Sequence, residues 1–232
     1  MSDQPPPSSG LPDYSEVDKA KTDSVAEENL DTTPSVPYSS HSLKVDYQWR
    51  KKEVKISMAS DTTDKPVYIA DYHWMTNPTL VIKRCSDDLT IGTGNSQAIS
   101  INPSYTFGDY NGELRASSRF LTRYTFESQH YKVKPEILHW SANMGIKNWD
   151  FTCFDKDEVP VAKFHSNVWY IKKIGLLDFY EPCDENQSLR EEIMVVAMTM
   201  YNQMLIRINS PLSILGMIPN PKPHKEEEVS SS

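Results

Sequence analysis

EEIMVVAMTMYNQMLI, residues 191–206, is the most apolar stretch of a chain that is otherwise polar. From Ile193 to Ile206 eleven of fourteen residues are apolar, and they are not confined to one helical face. A helix that is hydrophobic all round is a buried helix. It is too short to span a bilayer, because fourteen residues at about 1.5 Å each cover roughly 21 Å of a hydrocarbon core roughly 30 Å thick. Ser188-x-x-Glu191 reads as a capping box, with Glu191 and Glu192 at the positive end of the dipole. Arg207 suits the C-terminal end and Pro211 lies shortly beyond, so the helix is placed at 189–206.

The tails carry the charge. Residues 1–41 contain six prolines, eight serines, eight acidic groups and two lysines, for a net charge of −6. They hold too few large apolar side chains to offset the entropy of ordering and read as a disordered acidic tail. Residues 220–232 read as a second disordered tail of net charge −1. The intervening 42–219 carry 20 basic and 21 acidic groups and are nearly neutral, which argues against nucleic acid as the main partner. MSDQPPPSSG has no positive segment or apolar core and is not a signal peptide, and no transmembrane segment is expected. Cys85, Cys153 and Cys183 are odd in number and far apart, which fits a reducing compartment. A cytoplasmic protein, peripheral at a membrane, is the expectation.

From Leu43 onward, short runs rich in Val, Ile, Tyr, Phe and Trp alternate with turn residues every eight to twelve positions, an all-β signal. Strands are predicted near 43–48, 54–59, 66–72, 79–84, 89–93, 97–101, 113–126, 129–134, 136–141, 149–154, 159–165, 167–173 and 176–181. In GELRASSRFLTRYTF, Leu114, Ala116, Phe120, Tyr124 and Phe126 share one face, while Arg115, Arg119, Arg123 and Glu127 share the other. The only long helix of such a chain has no bundle to hide in. A barrel of about a dozen strands needs a filling, and adaptable methionines at 194, 198, 200 and 204 suit an irregular interior. The fold class predicted is therefore mainly β, a closed barrel of about twelve antiparallel strands around a central hydrophobic C-terminal α-helix.

The segment WDFTCFDKDEVPVAKFHSNVWYIKKIGLLDFYE, followed by a short linker and the apolar helix, resembles the end of a tubby C-terminal-like domain. The features carrying the likeness are Trp149-x-Phe151-x-Cys153, Val161-Ala162-x-Phe164, Trp169 and Lys173-x-Gly175-x-Leu177. That superfamily includes tubby domains, LURP-one-related proteins and phospholipid scramblases, and the chain is most similar to its small uncharacterised fungal members. The resemblance implies a closed barrel around a hydrophobic helix and, from the tubby domains, phosphoinositide binding through exposed Lys and Arg. No binding position transfers residue by residue. Scramblase activity is not expected, since the chain shows neither a calcium loop nor a long apolar anchor after the helix.

Candidate sites follow from charge. Arg115, Arg119 and Arg123 on one predicted strand, with Lys132 and Lys134 on the next, form a candidate lipid-binding face. A two-residue turn at Glu127-Ser128 would set Arg123 opposite Lys132, a like-charge pairing that suggests an anion site, and Arg119 opposite Glu136. A merely solvated barrel exterior is the competing reading. Lys83-Arg84 and Lys172-Lys173 each offer one outward cation and one that must find a partner. Leu11-Pro12-Asp13-Tyr14 resembles the PY motif read by WW domains, with Leu11, Pro12 and Tyr14 as the contact residues. Arg50-Lys51-Lys52 could face a membrane or receive the acidic tail.

Catalytic signals are weak. Gly92-Thr93-Gly94-Asn95 reads as a hairpin turn, Asp155, Asp157 and Glu158 as a short acidic turn, and no histidine stands at a metal-ligand spacing from another ligand. No cofactor, no metal and no enzymatic activity are expected. The leading expectation is a non-enzymatic binding module for phosphoinositide or other anionic membrane lipid. The alternative is an adaptor that recruits a WW-domain partner, such as a ubiquitin ligase, through LPxY.

Overall fold

Among the described residues, thirteen antiparallel strands form one continuous sheet that curls into a nearly closed barrel around the C-terminal helix. The computed structural model describes residues 41–209 except 49–50, 52, 74–75, 98–99, 118–122, 145–147, 168–172 and 184. The strands are β1 (Leu43–Gln48), β2 (Glu53–Met58), β3 (Pro66–Tyr72), β4 (Leu80–Arg84), β5 (Thr90–Asn95), β6 (Ser104–Phe107), β7 (Tyr110–Glu113), β8 (Arg115–Ala116), β9 (Arg123–Ser128), β10 (Glu136–Met144), β11 (Asn148–Phe154), β12 (Pro160–Asn167) and β13 (Lys173–Phe179). Their order is β7-β6-β5-β4-β3-β2-β1-β13-β12-β11-β10-β9-β8, a meander broken only where β13 joins β1. The two outermost strands stand on either side of the seam. Across it the Tyr105 hydroxyl of β6 donates to the Glu127 carbonyl of β9 at 3.2 Å, and the Tyr105 ring meets Phe126 edge-on.

The helix α1 (Gln187–Asn209) fills the barrel, and every residue from Glu191 to Met204 is buried. Its side chains reach strands all round the wall: Glu191 to β3 and β4, Glu192 to β9, Tyr201 to Phe164 of β12, and Arg207 to Tyr124 of β9. That enclosure explains why its apolar residues need no single face. Each fully buried Val, Ile or Met contributes about 1.5–3 kcal/mol.

Gly92 and Gly94 lie inside β5, not in the predicted hairpin turn. A Cβ on Gly92 would come within 2.7 Å of the Val195 side chain, and one on Gly94 would strike the Thr199 hydroxyl. The two bare positions, two apart on one face of the strand, form a groove that lets the helix backbone approach.

Other expectations are corrected. The single strand predicted at 113–126 is divided among β7, β8 and β9, and β8 and β9 pair as Arg115↔Thr125 and Ala116↔Tyr124. The alternation survives the division: Leu114, Tyr124 and Phe126 are buried, while Arg115, Arg123 and Glu127 are exposed. In place of strand 97–101, where Gln97, Ser100 and Ile101 are not extended pairs, the chain makes a hairpin from β6 and β7 about Gly108, at φ +56°. Residues 129–134 form a loop rather than a strand, so Arg123 lies opposite Ser141 and Glu136 opposite Ser128. The helix cap is Asn186, whose side-chain oxygen accepts from the Leu189 amide at 3.0 Å. Ser188 and Glu191 do not form the predicted box, because Glu191 is held by an arginine in the barrel wall. The tail residues Leu11, Pro12 and Tyr14, along with Arg50, Lys52, Arg119, Phe120, Trp169 and Lys172, lie outside the described residues.

Candidate functional site

Strand β9 ends at Ser128, and the chain crosses to β10 through residues 129–135. The loop is tied down along its first half. The Ser128 hydroxyl and Gln129 amide donate to the Glu192 carboxylate at 2.6 and 2.9 Å, and the Asn186 side-chain amide donates to the His130 carbonyl at 2.8 Å. The Tyr131 hydroxyl donates to Asp155 at 2.8 Å, and Lys132 pairs with Glu136 at 3.0 Å. Beyond Lys132 the chain stands free: Val133 is fully exposed, between two lysines, and Lys134 has no ion-pair partner among the described residues.

The neighbouring turn from β11 to β12 is built on Asp155. Its carboxylate accepts from the Asp157 and Val159 amides at 2.9 and 2.8 Å and from Tyr131, so it organises the turn and is not an open cation ligand. Burial raises its pKa, but the backbone and tyrosine hydrogen bonds outweigh that and hold it below the usual range. The turn sets Lys156 against Glu136 at 2.9 Å. Hydrogen bonds from Lys156 and Lys132 keep the Glu136 carboxyl ionised below its ordinary value.

Lys132, Lys134, Pro135, Glu136, Ile137 and Lys156 line a shallow open cleft of about 460 Å³. It holds three cations and one carboxylate, with exposed Val133, Ile137 and Val159 close by in the same loop, strand and turn. An excess of flexible ammonium groups over carboxylates in an open cleft suits phosphate oxygens, each lysine acting as a compact point charge.

The five cations singled out by charge pattern therefore separate. Lys132 and Lys134 enter the cleft. Arg123 is bound to Glu158 at 3.5 Å, and Glu158 in turn reaches His139 at 3.4 Å. Arg115 pairs with Glu113 at 3.2 Å near the seam. Arg119 is outside the described residues. Lys156 was missed because the DKDE turn reads as acidic; only the pairing of β10 with β11, which brings residue 156 beside Glu136, reveals its place.

Of the Lys83–Arg84 pair, Arg84 finds a partner inside the barrel. It makes a forked contact with Glu191 of α1, Nη2 to Oε2 at 2.8 Å and Nε to Oε1 at 3.1 Å. Tyr68 and Gln187 complete that carboxylate at 2.9 and 3.0 Å. A pocket of about 80 Å³ beside it is walled by Leu43, Met58, Val67, Phe179 and Met194. Among the described residues no group of three or more His, Cys, Asp or Glu is placed to hold a metal ion, and no helix is long and apolar enough to cross a membrane. Cys85, Cys153 and Cys183 form no disulfide with one another; Cys85 is exposed and the other two are buried.

The chain matches no family model, no curated protein and no solved structure.

Proposed function

We propose that the barrel is a non-enzymatic binding module that docks on anionic membrane lipids, phosphoinositides among them, through the Lys132–Lys134–Lys156 cleft. The observation that carries this reading is Val133, a fully exposed apolar side chain between Lys132 and Lys134, two of the cations that line the cleft. Lysines attract lipid phosphates at about 1 kcal/mol each near an anionic surface, and an exposed valine adds contact with the acyl boundary. Membership of the tubby C-terminal-like superfamily is part of the same proposal, supported by a β-barrel filled by an apolar C-terminal helix. A cytoplasmic location at the membrane periphery follows from it.

The test is flotation of the full chain with phosphatidylcholine vesicles, with and without a few per cent phosphatidylinositol bisphosphate, at low and high salt. Binding that requires the anionic lipid and weakens with salt is expected; equal recovery with neutral vesicles would refute the reading. The adaptor reading rests on the Leu11-Pro12-Asp13-Tyr14 motif alone. Tyr14→Ala should abolish capture by an isolated WW domain if that motif is used.

A further inference from the structure

The first half of the lysine loop is fastened to the inside of the barrel, and the fastener is a carboxylate with no solvent exposure. Glu192 is fully buried, yet it sits on the first turns of a helix packed against the wall on all sides. Its two oxygens are spent on consecutive residues at the root of the loop, the Ser128 hydroxyl and the Gln129 amide. An apolar residue would fill the same space more cheaply, because a buried carboxylate loses its hydration. The space is given to a group that fixes the direction in which the chain leaves β9.

We propose that Glu192 is a positioning residue for anion binding: it sets the pose of Lys132 and Lys134 from inside the barrel without touching a ligand. This rests on the lipid reading of the cleft. A loop held at residues 128–132 presents Val133 and Lys134 in one arrangement, and binding then need not order it. Freed at its root, the same loop would have to be ordered on each encounter.

The full chain is compared as wild type, Glu192→Ala and Glu192→Gln, by flotation with vesicles of phosphatidylcholine and a few per cent phosphatidylinositol bisphosphate, and by hydrogen exchange of the Gln129 amide. Glutamine can still accept from Gln129 and can donate to Ser128, so Glu192→Gln should bind within about twofold of wild type and keep that amide protected. Glu192→Ala should bind about three- to tenfold more weakly, with Gln129 exchanging faster. A folded Glu192→Ala with wild-type binding and unchanged Gln129 protection would overturn the proposal. If Glu192→Ala does not fold, Ser128→Ala replaces it, which removes one of the two bonds; an intermediate loss supports the role, and no change in binding or exchange overturns it. If wild type binds no vesicles, the lipid reading fails by itself, and Gln129 exchange in the alanine and glutamine variants decides whether Glu192 holds the loop.

Discussion

Arg84 of β4 and Glu191 of α1 form a forked ion pair, Nη2 to Oε2 at 2.8 Å, that joins the barrel wall to the helix inside it. The next residue, Glu192, accepts from the Ser128 hydroxyl and the Gln129 amide at the end of β9. Two neighbouring carboxylates thus fasten the same helix turn to strands on different sides of the barrel, one through a guanidinium and one through a hydroxyl and a backbone amide.

Removing Arg84 leaves the buried Glu191 carboxylate without its cation, whereas removing Glu191 leaves Arg84 partly exposed and still paired with Asp87 at 3.0 Å. Arg84→Ala should cost about 3–5 kcal/mol, Glu191→Ala less, and the double variant less than the sum of the two. Urea denaturation of the four proteins measures this; additive losses would show that the pair does not couple helix to wall.

The two carboxylates should also respond oppositely to pH. Burial pushes Glu191 up, but hydrogen bonds from Arg84, Gln187 and Tyr68 outweigh it and hold the pKa below the ordinary value of 4.5. Its contribution is present above that value and is lost as pH falls through the lowered folded pKa. Burial raises the pKa of Glu192, only partly offset by Ser128 and Gln129, so its ionisation costs stability as pH rises from 4.5 through the folded pKa. Glu192→Gln should therefore be at least as stable as wild type at pH 7, with the advantage vanishing on acidification. Glu191→Gln should be less stable at pH 7, with the deficit shrinking below pH 4.5. Melting temperatures across that range would expose a wrong sign in either case.

Glycine at 92 and 94 should be a requirement of helix packing. Gly94→Ala would drive a methyl group into Thr199, and Gly92→Ala would meet both Val195 and the Thr106 carbonyl. Each should cost about 1–3 kcal/mol. Adding Thr199→Ala should recover part of the Gly94→Ala loss, whereas Gly92→Ala, pressed against backbone, should not be relieved by changing Val195 alone. Equal stability of Gly94→Ala and wild type would mean that the helix does not ride on that groove.

Val133→Asp separates binding from stability. The side chain is fully exposed, so stability should change by no more than about 0.5 kcal/mol. Vesicle affinity should fall, since a carboxylate would replace the apolar contact and weaken the lysine field on both sides. Retained affinity would remove Val133 from the interface.

Much of the fold was legible in the sequence because burial writes itself into residue type. Ile193–Ile206 could be apolar on every side only if enclosed, and the Leu114/Tyr124/Phe126 alternation marked an inner face correctly. What the pattern could not convey was where a strand folds back. The break at 117 leaves the alternation intact on both sides, so 113–126 reads as one strand although Arg115 and Arg123 stand on facing strands. The candidate site suffered from the same ambiguity: Lys132 and Lys134 were visible as charges, but the pairing that adds Lys156 is set by register across β9, β10 and β11. Gly92 and Gly94 read as a turn because their constraint comes from a helix about a hundred residues later.

The most direct test of the membrane reading is charge reversal in the full chain, Lys134→Glu against Arg115→Glu, in the phosphoinositide vesicle assay at low salt. Reversal at the cleft should weaken binding by roughly tenfold or more, while Arg115, paired with Glu113 near the seam, should tolerate it within about twofold. Equal losses at both positions, or none at either, would contradict the assignment of the cleft.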